Sequence, residues 1–221
     1  MNINFDYLEE PIKIEGLTSL SINNASIFAK IVESLYHYKG ESDYVKIFDN
    51  KFNTTKAIEL MVVADVLGFD ANSASIKKLV YTDLELQISD NPLLKTEIEG
   101  HIYGISRLIS NELVDFELDL AFEKITFTKL FTAMGIQIEE SETIFERMLD
   151  IVQIYKYLSK KNLLVFISCG AYLTKVQVQE LEEYISLQNI NVLMLDSLKV
   201  NEVKNLFVLD DDYVLLKGKM V

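Results

Sequence analysis

TIFERMLDIVQIYKYLSKKNLLVFISCGAYLTKVQVQELEEYISLQNINVLMLDS, residues 143–197, contains two helical patterns, each followed by a short, unbroken apolar run. Thr143 with Glu146, and Thr174 with Gln177, have the spacing at which a hydroxyl and a longer side chain reciprocally satisfy free N–H groups in a helix's first turn. The runs LLVFIS and NVLMLDS are apolar at successive positions, so both faces of each strand are expected to be covered. Helix, apolar strand, helix, apolar strand is the rhythm of a parallel sheet in an α/β fold.

The flanks extend that sheet. Downstream, NLFVLDDDYVLLKG reads as a terminal hairpin turning at Asp210–Asp212, aspartates best explained as a solvated turn. Upstream, INFDYLEEPIKIEGLTSLSI reads as two or three strands punctuated by Pro11 and Gly16. Asn23 or Asn24 then caps a helix whose apolar positions are Ile27, Phe28, Ile31, Val32, Leu35 and Tyr36, with Gly40 ending it. YVKIFD is a further strand, and Thr54 or Thr55 is expected to cap a helix over KAIELMVVADVLGF. From residue 73 to 113 the pattern is helical, broken where Asn91 offers an N-cap and Pro92 takes the first helical position, whose missing N–H costs nothing there. The expected organisation is an α/β head of residues 1–70 and 125–221, interrupted by a helical leg of residues 71–124.

The 221 residues, 49% of them hydrophobic, suffice for one substantial core. No apolar run reaches the roughly 18 residues of a membrane span, and MNINFDYLEEPIKIE lacks the order of a secretory signal, so a cytoplasmic, non-membrane protein is expected. The single Cys169 lies in an apolar run and is read as a small buried side chain in a reducing compartment. A net charge of −13 disfavours a uniformly basic nucleic-acid binder, although a local basic surface is compatible with it.

Catalytic sets are missing. The 8 glycines form no phosphate-cradling loop: Gly100 and Gly104 fall within helical periodicity, and Gly218-Lys219 is followed by Met220 rather than Ser or Thr. Asp196 imitates the acidic residue that ends a nucleotide-binding strand, but without the loop hydrolysis is not expected. His37, His101 and Cys169 have no neighbours that complete a triad or a zinc site.

One stretch is unusual. NELVDFELDLAFE holds Glu112, Asp115, Glu117, Asp119 and Glu123 without a basic residue. As a helix it would stack Glu112, Asp115, Asp119 and Glu123; as a strand, Asp115, Glu117 and Asp119. Repelling carboxylates want solvent or a hard, oxygen-seeking cation, and a solvated acidic face explains them without any ligand. The basic residues are scattered, with small groups at Lys77-Lys78, at Lys124 and Lys129, and at Lys156, Lys160 and Lys161.

FDYLEEPIKIE, ELMVVADVLGFDANSASIKKLVYTDLE and YLSKKNLLVFISCGAYLTKVQVQELEEYISLQNINVLMLD together resemble the type II-A CRISPR-associated adaptation proteins, the ring-forming Csn-two family. The resemblance spans nearly the whole chain and implies a nucleotide-hydrolase-like sheet head without a phosphate loop, a helical leg, and a homotetrameric ring. It also implies a non-enzymatic protein that binds double-stranded DNA ends, requires calcium, and acts with the integrase pair and effector nuclease in spacer acquisition. On this resemblance Glu117, Asp119 and Glu123, with Glu112 and Asp115 beside them, are the candidate calcium ligands. Lys56, Lys124, Lys129, Lys156, Lys160 and Lys161 are the candidate DNA contacts, ahead of Lys77 and Lys78. A divergent nucleotide hydrolase and a protein-only scaffold are the rival readings.

Overall fold

The computed structural model describes residues 1–40, 44–114, 117–121, 123–158, 160–197 and 203–218. In chain order the elements are strands β1 (Asn2–Phe5), β2 (Ile12–Lys13) and β3 (Leu17–Ile22), helix α1 (Ala25–Tyr36), β4 (Val45–Phe48) and β5 (Leu60–Val63). Helices α2 (Ala74–Ser89), α3 (Pro92–Leu113), α4 (Phe127–Ala133) and α5 (Ile144–Tyr157) follow. The chain ends through β6 (Leu163–Ile167), α6 (Lys175–Gln188), β7 (Val192–Asp196), β8 (Asn205–Leu209) and β9 (Leu215–Lys217). It divides into two compact units, Met1–Asp70 with Glu140–Val221, and Ala71–Glu139.

The first unit is built on a six-stranded sheet of order β5-β6-β7-β3-β8-β9, parallel from β5 to β8, with β9 closing it antiparallel. Strand alternation sends Leu163, Val165 and Ile167 to one face and Leu164 and Phe166 to the other, and both faces are buried. One layer contains Ile27, Ile31 and Leu35 of α1 with the small antiparallel sheet β2-β1-β4. The other contains Met148, Ile151, Val152 and Tyr155 of α5 and Val178, Leu181 and Ile185 of α6. The capping boxes at Thr143/Glu146 and Thr174/Gln177 are both formed.

The helix expected over KAIELMVVADVLGF is not formed. Thr55 is buried in β-type hydrogen bonding, its N–H donating to Ile47 O at 2.8 Å and its carbonyl accepting from Tyr38 Oη at 2.9 Å. A single 3-10 turn, Ala57–Glu59, follows, held by Glu59 Oε2 accepting the Lys56 N–H at 2.6 Å. Leu60–Val63 is then strand β5, because four apolar residues paired in register with Leu163–Phe166 bury more surface than a short isolated helix would.

The second unit is helical. Tyr81 and Ile88 of α2 pack with Phe131 of α4, the Tyr81 and Phe131 rings meeting edge-on with centroids 5.5 Å apart. Tyr81 Oη donates to Ile136 O at 2.7 Å. This packing corrects the expected return at residue 125: α4 belongs with α2, and the first unit resumes at Glu140. Asn72 closes the base of the unit, donating through Nδ2 to Ile138 O and accepting the Ile138 N–H, each at 2.9 Å. Asn91 caps α3 by accepting the Leu94 N–H at 3.3 Å, as its pairing with Pro92 suggested. No helix among the described residues is long and apolar enough to cross a membrane.

Within the first unit, Arg147 ties the outgoing chain to the returning one. Its Nη1 donates to Leu67 O at 2.6 Å and its Nε to Ser141 O at 3.0 Å, while Nη2 pairs with Glu140. Arg147→Ala strips both carbonyls of a charged donor and is expected to cost about 1–3 kcal/mol. Arg147→Lys should fall between it and the parent, since an ammonium cannot reproduce the planar fork. Chemical denaturation of the three proteins checks the ranking, and an alanine variant as stable as the parent would show that Arg147 clamps nothing.

Candidate functional site

The acidic segment follows the end of α3. Glu112 lies in that helix's last turn and is exposed, where the dipole's negative end disfavours another carboxylate. Glu117 and Asp119 are exposed on chain that is neither helix nor strand, so the described part of the segment stacks its acids in neither of the two ways the sequence allowed. Glu123 pairs with Lys129; that hydrogen bond and charge hold its carboxyl below the usual range. Asp115 lies outside the described residues. No three His, Cys, Asp or Glu side chains among the described residues come together as a metal-holding group. The described donors have the oxygen chemistry of a calcium site without a gathered geometry among them.

The six candidate lysines differ in what they already hold. Lys161 is half-buried, its Nζ donates to Leu60 O at 2.6 Å, and burial pushes its ammonium below the ordinary value, all of which fits a structural tie between α5's exit and β5. Lys156 Nζ donates to Gln188 Oε1 at 2.7 Å. Lys129 is paired with Glu123. Lys56, Lys124 and Lys160 are exposed and make no ion pair among the described residues. Lys56, Lys156, Lys160 and Lys161 belong to the first unit, and Lys124 and Lys129 to the second.

The carboxyl edge of the parallel strands is where an α/β sheet ordinarily receives ligands. Here the junction between β3 and α1 contains just Asn23 and Asn24. Asn24 Oδ1 accepts the N–H groups of Ser26 and Ile27 at 3.0 and 3.2 Å, so donors that a phosphate would need at that helix start are already occupied. Asp196 ends β7 in register with Ser21 of β3 and is 3% exposed. Its Oδ1 accepts the Gly170 N–H at 3.0 Å, while Oδ2 has no partner among the described residues, and burial raises its pKa to about 6. Sequence reasoning noticed Asp196 but passed over Gly170, whose signal was the Ser-Cys-Gly break closing an apolar strand.

Cys169 is buried as expected, with Sγ donating to Ile167 O at 3.2 Å. Burial, reinforced by the charge of Asp196, pushes its thiol up to about 12, which suppresses thiolate chemistry. His37 follows α1 and His101 sits on α3, both exposed and in no metal-holding group among the described residues.

Comparison with known proteins gives a consistent answer. Residues 36–213 match the family described as CRISPR-associated protein (Cas_Csn2). CRISPR-associated protein Csn2 of Enterococcus faecalis is 45% identical over 216 residues, covering 97% of this chain and 98% of the relative. The Csn2 protein of Streptococcus agalactiae is 42% identical over 222 residues, covering 100% of both chains. The crystal structure of Stu0660 of Streptococcus thermophilus superposes with a TM-score of 0.59 at 13% identity, over 95% of this chain and 74% of that one, a likeness of fold. A match over this much of the sequence, on a mixed α/β scaffold whose sheet edge lacks catalytic machinery among its described residues, places the chain in the Csn2 family of CRISPR-associated proteins.

Proposed function

We propose that this chain is a non-catalytic, calcium-dependent protein that binds double-stranded DNA ends as a homotetrameric ring. In this reading it serves spacer acquisition in the cytoplasm of a type II-A CRISPR system, together with the integrase pair and effector nuclease. The observation that carries the proposal is end-to-end similarity to CRISPR-associated Csn2 proteins. The two-residue β3–α1 junction speaks against nucleotide hydrolysis at this sheet edge, because Asn24 already occupies helix-start N–H groups. A divergent hydrolase has Asp196 in its favour but no phosphate-cradling loop among the described residues of this sheet edge.

Lys56, Lys124 and Lys160 are the best placed of the candidate DNA contacts, since they are exposed without a competing carboxylate ion pair among the described residues. Contacts of this kind read phosphate charge rather than sequence, so affinity should fall steeply with salt. Calcium, when bound, would supply positive charge to neighbouring acids, and Glu117, Asp119 and Glu123, with Glu112 and Asp115, are the residues proposed to hold it. Glu123 would first have to exchange its Lys129 partner.

Binding of a linear duplex and of the same sequence as a covalently closed circle, each with calcium or chelator, tests the proposal. Strong binding to the linear form alone, lost on chelation, is expected. Equal affinity for the circle would remove end recognition. Light scattering in the same buffers should give a tetramer with calcium, and a monomer throughout would remove the ring.

A further inference from the structure

The second unit contains a groove of about 510 Å³ between α2 and α4, within the range of small-molecule sites. Lys77, Lys78, Thr82, Thr128, Thr132 and Gln137 supply its polar lining, and no Asp or Glu among the described residues lines it. In a chain with 34 acidic against 21 basic residues, a concavity with two ammonium groups and no carboxylate selects for an anion. Neither lysine forms an ion pair among the described residues.

The hydroxyls narrow the ligand further. Thr82 Oγ1 donates to Lys78 O at 2.7 Å and Thr132 Oγ1 to Thr128 O at 2.9 Å, each one helical turn back. Their protons are committed, so each oxygen has only acceptor capacity left to offer a ligand in the groove, which a bare phosphate dianion cannot satisfy. A ligand that matches both halves carries a phosphate for the lysines and hydroxyl groups of its own for the threonines. We propose that this groove binds a phosphorylated sugar, up to the size of a ribonucleoside monophosphate. The proposal does not rest on the DNA-binding reading, and it gives Lys77 and Lys78 a ligand distinct from the candidate DNA contacts.

Calorimetric titration of the full chain at low ionic strength, with ribose 5-phosphate, AMP, inorganic phosphate and adenosine as separate probes, tests it. Ribose 5-phosphate and AMP should bind, and adenosine should be weaker by about tenfold or more, because charge-assisted bonds to phosphate are lost. Lys77→Gln with Lys78→Gln should weaken the phosphorylated probes to a similar degree, with circular dichroism unchanged. Thr132→Val should reduce ribose 5-phosphate binding a few-fold and leave inorganic phosphate unaffected. Failure of ribose 5-phosphate and AMP to bind, or binding indifferent to the lysine substitutions, overturns the site. Inorganic phosphate binding as tightly as ribose 5-phosphate overturns the sugar assignment. A 5′-phosphorylated duplex that needs both lysines while the small probes fail would make the groove part of a DNA track instead.

Discussion

Phe166→Ala is expected to lower the unfolding free energy by about 3–5 kcal/mol. Phe166 lies in β6, is 0% exposed, and belongs to the layer formed with Met148, Ile151 and Val178. The sheet, α5 and α6 that form this layer are regular elements held by their own backbone hydrogen bonds, which limits how far they can collapse into the space left by a lost ring. A domain with a total stability of about 5–15 kcal/mol would lose a large fraction of it. Phe166→Leu keeps most of the volume and should cost less than about 2 kcal/mol. Urea titration followed by far-ultraviolet circular dichroism distinguishes the two, and an alanine variant within about 1 kcal/mol of the parent would mean that the layer is looser than its burial indicates.

The second large effect depends on pH. The folded pKa of Asp196 is about 6 against an ordinary 3.8, so the folded state keeps a proton that the unfolded chain releases first. The sign follows directly: the stabilisation is complete below about pH 4, declines as pH rises, and is lost above about pH 6. The full difference is about 3 kcal/mol. Asp196→Asn retains an oxygen for the Gly170 N–H and cannot ionise, so its stability relative to the parent should climb across that window and level off above it. Comparing variant with parent cancels the opposite trend from exposed carboxylates such as Asp49, whose pKa is lowered by its bonds to Asn53. Parallel stability curves for the two proteins between pH 4 and 7 would show that Asp196 finds solvent or a partner when charged.

Local chemistry made much of this fold legible in the sequence. Thr143 with Glu146, Thr174 with Gln177, and Asn91 with Pro92 mark helix starts through contacts three residues apart or fewer, and each helix begins where they indicate. The hairpin turn is equally local, with Asp210 Oδ1 accepting the N–H groups of Asp212 and Val214 at 3.0 and 2.8 Å. Leu60–Val63 was misread because its conformation is decided by Leu163–Phe166, about a hundred residues away, and not by Thr54 or Thr55 beside it. The boundary after α4 was missed for the same reason, since Phe131 finds its partner in distant Tyr81. Among candidate site residues, sequence could register the density of acids over 111–123 but not that Glu123 turns to Lys129. Nor could it show that Lys161 is committed to Leu60, because a surface lysine and a structural one are spelled alike.

The two-way bond between Asn72 and Ile138 brings the departure and return of the helical segment side by side. A long insertion whose first and last turns are held together adds little loop-closure entropy to the chain that carries it, since that penalty grows only logarithmically with length. That pair is therefore a natural splice point. Bridging it with a short turn should leave the interrupted sheet able to close on itself, and the helices could lengthen, shrink or be exchanged among relatives without rewriting the strands that carry them.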